Sequence, residues 1–257
     1  MNQTDAGDTG HVVRSLRPGA TNAIVLVCEH ASAFMPSEFK NLGLSKEVLT
    51  SHVAWDPGAL GVAEALSEML EAELVASGIS RLIYDCNRPP DAPAAMPARS
   101  EIYDIPGNVG LTAAQRAARA DAYYAPFRMA VDAALAVREK AVLVTIHSFT
   151  PVYHGKTRDV EIGILHDRDS GLADAILEAA ADHDAHVVRR NEPYGPNDGV
   201  THTLIEHGVS KGRPNVMIEV RNDLIRTADA QREMASLLAG WLRQAVEQIT
   251  CAQEAAT

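Results

Sequence analysis

The chain has few cysteines, no long apolar run and a shortage of basic residues, and each of these excludes a class of protein. Its three cysteines, Cys28, Cys86 and Cys251, are an odd number without CxxC spacing, which argues against a disulfide scaffold and against cysteine-ligated zinc. No apolar stretch approaches the roughly 20 residues that a membrane span requires. Lys and Arg total 23 against 34 Asp and Glu, a net charge of −11, whereas nucleic-acid binding needs a basic patch.

Several common sequence motifs are also missing. The sequence contains no P-loop, no GxGxxG that opens a helix and no GxSxG elbow, so nucleotide binding and serine-hydrolase chemistry lack their usual signals. The N-terminus shows no continuous apolar region of the kind found in signal peptides, so we expect a cytoplasmic protein with reduced thiols. With nucleic acid and membrane set aside, a small molecule is the expected partner.

Length and composition fit one α/β domain over residues 1–257. Apolar residues make up 46% of the chain and charged residues 22%, both ordinary for a soluble globular protein. Residues 1–20 are polar and predict a flexible N-terminal arm. Residues 89–110 are rich in Pro, Ala and Gly and predict a long loop on the active-site side.

Strand-like and helix-like patterns alternate along the chain. This alternation predicts a three-layer α/β fold with a largely parallel, mixed central sheet and helices on both faces. A helix is expected to open at residues 56–58, and the long helix over 112–138 is expected to break near Pro126. The other patterns predict strands over 23–28, 73–77, 81–85, 141–146, 160–165, 186–189 and 215–220, and helices over 42–51, 170–182, 200–207 and 228–249.

Three apolar strands end in residues that bind metals or move protons. His30 follows the first run, His147 follows the run 141–146, and Glu219 follows residues 215–218. In open α/β sheets, ligands bind in the crevice outside the carboxyl ends of the strands. Two imidazoles and a carboxylate gathered there are what a catalytic zinc site needs, namely nitrogen ligands, an open position and a general base.

Each of these residues, and a nearby aspartate, also has a structural interpretation. Either histidine could be a core residue hydrogen-bonded to the backbone. Asp56, before Pro57, could cap a helix, which contributes about 1 kcal/mol, or it could coordinate the metal. Glu219 could act as the general base, or it could form a salt bridge with Arg221 or another arginine, since a buried carboxylate needs a partner.

Two residues after the predicted strand 81–85 are candidates for binding substrate. The guanidinium of Arg88, with the amide of Asn87, could hold a substrate carboxylate in bidentate fashion. The alternative is an ion pair between Arg88 and Asp85 or Asp91. The residue pattern leaves both interpretations open.

Further candidates for substrate contact are scattered along the chain. Arg221 has the same two interpretations as Arg88. His202, in the predicted short helix after a Gly-rich loop, could orient the substrate or stabilise an oxyanion, or it could be a surface or core residue. Arg99 and Arg158 lie in predicted loops and could face the same anion.

The order and spacing of these segments resemble the N-formylglutamate amidohydrolase family. The resemblance covers residues 23–242, with landmarks at 28–32, 56–58, 80–88, 146–149 and 218–224. It implies a zinc exopeptidase-like (phosphorylase/hydrolase-like) fold, a Zn²⁺ cofactor and cleavage of an N-formyl or N-acyl amino acid. The implied reaction is N-formylglutamate to formate and glutamate, a step of histidine degradation with a small-molecule carboxylate as substrate.

The resemblance also implies individual roles. In the related cell-wall amidases, the metal ligands are a histidine after the first strand, an acid at the start of the following helix and a histidine in an Ile-His pair. A catalytic glutamate lies in a late strand. The similar positions here are His30, Asp56 and His147 as ligands and Glu219 as the catalytic residue.

One landmark departs from the family pattern. The histidine-degradation deformylases look as if they carry Pro-His-Ser-Gly where this chain has Glu29-His30-Ala31-Ser32. The alternatives are therefore an amidase for a different acylated or peptidoglycan-like substrate, or a non-catalytic small-anion-binding protein with the same fold. The missing export signal counts against the former, and the ligand set with Glu219 counts against the latter.

Overall fold

A seven-stranded mixed sheet forms the centre of the fold. The computed structural model describes residues 11–255. Within these residues the sheet order is β1-β3-β2-β6-β11-β9-β10, and β4-β5 and β7-β8 form two small hairpins. The strands are β1 (Val13–Leu16), β2 (Ile24–Cys28), β3 (Glu73–Ser77), β4 (Arg99–Ser100), β5 (Tyr103–Asp104), β6 (Val142–Phe149), β7 (Val152–Tyr153), β8 (Lys156–Thr157), β9 (Ile162–Leu165), β10 (Val188–Arg190) and β11 (Asn215–Arg221).

Most neighbouring strands of the main sheet are parallel. The pairs β3–β2, β2–β6, β6–β11 and β9–β10 are parallel, while β1–β3 and β11–β9 are antiparallel. The prediction of a largely parallel, mixed sheet is therefore confirmed. The parallel run β2, β6 and β11 brings the carboxyl ends of three apolar strands to one edge of the sheet.

Helices cover both faces of the sheet. Along β2, Ile24, Leu26 and Cys28 face one hydrophobic core, with α2, α5 and α6, while Val25 and Val27 face the other, with α4. Successive side chains of a strand point to opposite faces, so a strand that is apolar at every position must be covered on both. The helices are α1 (Lys46–Leu49), α2 (Ala59–Leu70), α3 (Ala113–Arg119), α4 (Ala125–Ala136), α5 (Gly171–Ala180) and α6 (Ala228–Ala255).

The predicted strand 81–85 is wrong, because these residues form turns. Ile83 N donates to Ser80 O and Arg88 N donates to Asp85 O, both at 3.0 Å. Leu82, Ile83 and their neighbour Tyr84 are nonetheless fully buried. The apolar run therefore reflects burial of a turn against the core, a signal that sequence periodicity cannot distinguish from a short strand.

Other element boundaries also differ from the predictions. The N-terminal arm was expected to reach residue 20, but Val13–Leu16 pairs with β3 as an edge strand, and residues 1–10 lie outside the described part. The helix over 112–138 is interrupted near Pro126, as predicted: a π-helical turn at Ala120–Tyr124 directly precedes α4, whose second residue is Pro126. Proline has no N–H to continue the hydrogen-bond ladder of a helix. The predicted helix over 42–51 shortens to α1, and the one over 200–207 contains a π-helical turn at Leu204–Gly208.

The 89–110 segment is a loop with short local structure. It contains the 3₁₀ turns Pro93–Ala95 and Pro106–Asn108 and the β4–β5 hairpin.

None of the helices within residues 11–255 is both long enough and apolar enough to cross a membrane.

Gly163 in β9 allows the segment before Tyr194 to approach the sheet closely. A Cβ at this position would lie 2.0 Å from Glu192 O, a backbone atom that cannot rotate away. We expect Gly163→Ala to lower the free energy of unfolding by about 1–3 kcal/mol, the usual cost of overpacking. Gly240→Ala in α6, where a Cβ meets nothing within 4 Å, is the matched control for urea unfolding. Equal stability of the two variants would contradict the close approach.

Candidate active site

Two imidazole nitrogens and one carboxylate oxygen converge at the carboxyl edge of the sheet. His30 Nδ1 lies 3.2 Å from Asp56 Oδ2, His147 Nδ1 lies 2.9 Å from the same oxygen, and the two Nδ1 atoms are 3.2 Å apart. All three side chains are buried. The three residues form a group that could hold a metal ion.

The spacing of these three atoms fits a metal centre. In a tetrahedral site with metal–nitrogen and metal–oxygen bonds of about 2.0–2.1 Å, neighbouring ligand atoms lie about 3.3 Å apart. The observed separations of 2.9–3.2 Å are close to that value. Two imidazole nitrogens and a carboxylate oxygen this close together make a donor set for a divalent cation.

Strand register and two hydrogen bonds position these three side chains. His30 follows β2, His147 lies within β6 rather than beyond its end, and the two strands are parallel neighbours. Asp56 N donates to His30 O at 2.9 Å, and Ser148 N donates to Asp56 Oδ2 at 3.3 Å. The helix-cap alternative for Asp56 is wrong, because α2 has Gly58 as its N-cap residue and no side-chain cap.

A second carboxylate lies against the outer nitrogen of each imidazole. His30 Nε2 is 2.7 Å from Asp85 Oδ1. His147 Nε2 is 3.0 Å from Glu29 Oε2, within ion-pair distance, although these two atoms are not aligned for a hydrogen bond. A carboxylate on the far side of an imidazole fixes the ring orientation and makes the inner nitrogen a better ligand. The alternative interpretation, in which each histidine is a core residue hydrogen-bonded to the backbone, is therefore wrong.

Arg81 joins two of these acids and lines the cavity. Its guanidinium donates to Asp85 Oδ2 at 2.8 Å and to Asp56 Oδ1 at 3.4 Å. Burial opposes ionisation of both aspartates. This effect is outweighed by His30 and His147 at Asp56, and by His30 and Arg81 at Asp85, so both pKa values lie well below their usual range. Both aspartates are therefore carboxylates.

Glu219 is buried beside the group formed by His30, Asp56 and His147. It pairs in register with His147 across β6 and β11, and its Oε2 has no hydrogen-bond partner. Burial raises the pKa of Glu219 to about 7. The alternative interpretation, a salt bridge with Arg221, is wrong, since Arg221 pairs with Glu161 at 3.1 Å and Asp223 at 2.8 Å.

A cavity of about 190 Å³ is lined by His30, Asp56, His147 and Glu219, together with other residues. Arg88 lines this cavity and forms no salt bridge with Asp85 or Asp91; its NH1 donates to the backbone oxygen of Asn87 at 2.9 Å. The Asn87 amide is occupied, because it donates to Val200 O and accepts from Thr203 N. The lining comprises His30, His52, Val53, Asp56, Arg81, Asn87, Arg88, Ser100, Glu101, His147, Ser148, Phe149, Thr150, Tyr153, Tyr194, Val200 and Glu219.

Two predicted substrate-binding residues do not line this cavity. His202 Nε2 lies 2.7 Å from the Tyr124 hydroxyl, and burial lowers the pKa of this histidine. Arg221 has its guanidinium in the two ion pairs described above. Arg99 forms a salt bridge with Asp104 within the β4–β5 hairpin, at 2.8 Å. Of the predicted substrate-binding set, Asn87 and Arg88 alone reach the cavity wall.

Sequence reasoning missed the outer carboxylates, Arg81 and the aromatic wall of the cavity. Glu29 directly precedes a predicted ligand, and Asp85 lies in one of the landmark segments, so both had a local signal. The aromatic wall, formed by Phe149, Tyr153 and Tyr194, had none. Its members come from β6, a hairpin and a loop that the sequence does not place side by side.

The chain is similar to one protein family and to solved structures. A family model described as N-formylglutamate amidohydrolase matches residues 22–226. The gene product Atu2144 from Agrobacterium tumefaciens is 54% identical, with a TM-score of 0.91 over 93% of this chain and 96% of that one. An N-formylglutamate amidohydrolase from Ralstonia eutropha JMP134 is 20% identical, with a TM-score of 0.65 over 91% of this chain and 97% of that one, which shows a shared fold. A search of curated proteins finds no match.

Proposed function

Because this chain belongs to the N-formylglutamate amidohydrolase family and is a hydrolase of amide bonds, we propose that it is a zinc enzyme that releases formate from N-formylglutamate. A close N-acyl relative of that substrate is included in the proposal. The observation that carries it is the convergence of His30, Asp56 and His147 beside a buried Glu219. A cytoplasmic role in histidine degradation follows if N-formylglutamate is the physiological substrate.

The proposed ligands are His30 Nδ1, Asp56 Oδ2 and His147 Nδ1. When bound, zinc supplies a Lewis acid that polarises the amide carbonyl and makes water more acidic. Asp85 and Glu29 hold the two imidazoles in their ligand orientation. Arg81 occupies the second oxygen of Asp56, so that one oxygen is left to face the cluster.

Glu219 is the proposed proton carrier. Its carboxylate, which belongs to a residue of the cavity lining, accepts a proton from the attacking water, whose oxygen bonds to the acyl carbon. The Glu219 carboxyl then donates this proton to the leaving nitrogen as the C–N bond breaks. A carboxyl whose burial raises its pKa to about 7 can perform both steps near neutral pH.

Arg88 is the proposed contact for the carboxylate next to the scissile amide. It lines the cavity and has no carboxylate partner among Asp85 and Asp91. Asn87 acts as a positioning residue, because its amide ties the turn that bears Arg88 to the backbone at Val200 and Thr203. His202 and Arg221 do not line the cavity and take no part in this mechanism.

Arg88→Ala is expected to raise KM for N-formylglutamate strongly, with a smaller effect on kcat, because a contact made equally in ground and transition states is uniform binding. The expected loss is about 2–5 kcal/mol. Arg88→Lys keeps the charge without the planar fork, so it should fall between wild type and Arg88→Ala. Arg99→Ala, at an exposed arginine of the β4–β5 hairpin, is the control. An equal loss for N-formylglutamate and its α-carboxamide would assign Arg88 a structural role.

A substrate panel with metal analysis tests the proposed function. Purified protein is assayed for bound metal and for hydrolysis of N-formyl, N-acetyl and N-succinyl amino acids and a peptidoglycan-like amide. We expect about one zinc per chain and fastest turnover of N-formylglutamate. Preference for the peptidoglycan-like amide would replace the proposed substrate. Binding of small anions without any hydrolysis would favour a non-catalytic role.

A further inference from the structure

Arg158 lies against three aromatic rings that line the catalytic cavity. Its guanidinium carbon is 4.5 Å from the centroid of Tyr153, 4.7 Å from that of Tyr194 and 5.5 Å from that of Phe149. Each of the three rings belongs to the wall of the 190 Å³ cavity. The guanidinium thus forms the next layer behind this part of the wall.

The known contacts of this guanidinium use only part of its hydrogen-bonding capacity. Of its five N–H donors, one makes a long 3.4 Å contact with Thr150 O, and the group also lies within hydrogen-bonding reach of the Tyr194 side chain. Asp159 and Glu192 are the acids that share a cavity lining with Arg158, but within residues 11–255 no carboxylate forms a salt bridge with Arg158.

Arg158 also lines a second and larger cavity, of about 500 Å³. Tyr153 belongs to the linings of both cavities, so the two are separated by no more than this side chain at that point. A substrate group that extends past the Tyr153 ring would therefore reach the Arg158 fork. A planar, bidentate donor at such a position fits a carboxylate.

The charges of the catalytic cavity point to two anionic groups on the substrate. Arg81 is neutralised by Asp56 and Asp85, and the cavity-lining Glu101 contacts His52 at 2.7 Å. Of the arginines in this wall or directly behind it, Arg88 and Arg158 form no salt bridge with a carboxylate in the described part of the chain.

We propose that Arg158 binds the side-chain carboxylate of the substrate, and that the site therefore selects N-acyl derivatives of acidic amino acids. This inference rests on the proposed function, in which Arg88 takes the carboxylate next to the amide. The two arginines then divide the recognition of a dicarboxylate, Arg88 inside the cavity and Arg158 at its junction with the larger one. Arg158 replaces Arg221, whose donors are occupied, as the second arginine of the site.

N-formylglutamate and N-formylglutamine test this assignment, because they differ only in the charge of the side-chain terminus. Wild type should prefer the glutamate derivative. Arg158→Gln should lower kcat/KM for N-formylglutamate by about 10²-fold, mainly through KM, and should change the glutamine derivative by only a few-fold. Arg158→Lys should keep part of the preference. Arg88→Gln should lower both substrates together, because both carry the carboxylate next to the amide.

Arg189→Gln is the matched control, since Arg189 is an exposed cation in the same larger cavity. It should leave the preference unchanged, whereas a loss like that of Arg158→Gln would indicate a general charge effect and overturn the assignment. Equal losses of both substrates in folded Arg158→Gln would show that Arg158 only supports the aromatic wall, and would also overturn it. A wild-type enzyme that hydrolyses N-formylglutamate and N-formylglutamine equally well would also overturn the assignment.

A binding measurement separates failure of this assignment from failure of the proposed function. Thermal stabilisation of the purified protein is compared for glutarate and its monoamide. The assignment predicts stronger stabilisation by glutarate in wild type and no difference in Arg158→Gln. If no N-acyl amino acid is hydrolysed but this difference is found, the proposed function fails and the anion site at Arg158 stands. If hydrolysis occurs but glutarate and its monoamide stabilise wild type equally, Arg158 is not the carboxylate contact.

Discussion

Glu219→Gln is expected to lower kcat by about 10²–10⁴-fold, the usual contribution of general acid–base catalysis, while the metal content stays unchanged. The substitution keeps the size and shape of a buried side chain but removes its ability to accept a proton. Glu219 is outside the His30, Asp56 and His147 group that could hold a metal. A loss of turnover without a loss of metal is therefore the signature of the proposed role.

The pH dependence provides a second readout for the same residue. Burial raises the pKa of Glu219 from 4.5 to about 7, and a base must be ionised to act. Activity should therefore fall as the pH drops below about 7 in wild type, and the residual activity of Glu219→Gln should lack this acidic limb.

The measurement compares kcat on N-formylglutamate with metal content by elemental analysis and with circular dichroism for folding. Glu178→Gln, at a surface glutamate of α5 that contacts Gln248, is the control for a generic loss of charge. A folded, metal-containing Glu219→Gln enzyme with a rate near that of wild type would exclude the role.

The positions of the reactive residues could be predicted from sequence because apolar strands are easy to recognise. The runs that precede His30, His147 and Glu219 become the parallel neighbours β2, β6 and β11. Once a strand is located, the rule that ligands bind at the carboxyl ends of parallel strands places its last residues in a common crevice. The central part of the site follows from that rule.

The outer part of the site could not be predicted, since it depends on pairings between distant segments. Glu29 precedes His30 in sequence but contacts His147 on the next strand, and Asp85 contacts His30 across 55 positions. The local signal at each acid marks it as close to the site, but no local pattern encodes which histidine it contacts. Asp85 also lies in a buried turn whose apolar residues predicted a strand.

The same limit applies to the arginines. Arg88 and Arg221 had equivalent signals in the sequence, each close to a predicted strand end. The structure leaves Arg88 at a cavity and commits Arg221 to Glu161 and Asp223. The availability of a guanidinium depends on which carboxylates the fold places near it, and this is a property of the tertiary structure.

The other large effect is expected from His147→Ala, which should lose the bound metal and, with it, measurable hydrolysis. Structural four-ligand zinc sites bind with about 10–16 kcal/mol, so that one ligand is worth about 3 kcal/mol or a factor of about 10² in affinity. Within residues 11–255, His147 is one of three candidate protein ligands, so its removal leaves too few to retain the metal against a chelator. Asp85→Asn, which changes only the support of His30, should cost about 10–100-fold in affinity.

Folding must be checked separately, because His147 also faces the buried carboxylate of Glu29. Loss of one partner of a buried pair can cost about 3–5 kcal/mol in stability. His147→Gln provides a second variant, since its amide N–H can face Glu29. Metal content after dialysis against a chelator is the measurement, and His183→Ala, at an exposed histidine beside Trp241, is the control. Full metal retention in folded His147→Ala or His147→Gln would mean that the ion, if present, is held elsewhere. A graded order of affinity, from wild type through Asp85→Asn to His147→Ala, is what the two layers of contacts around the site predict.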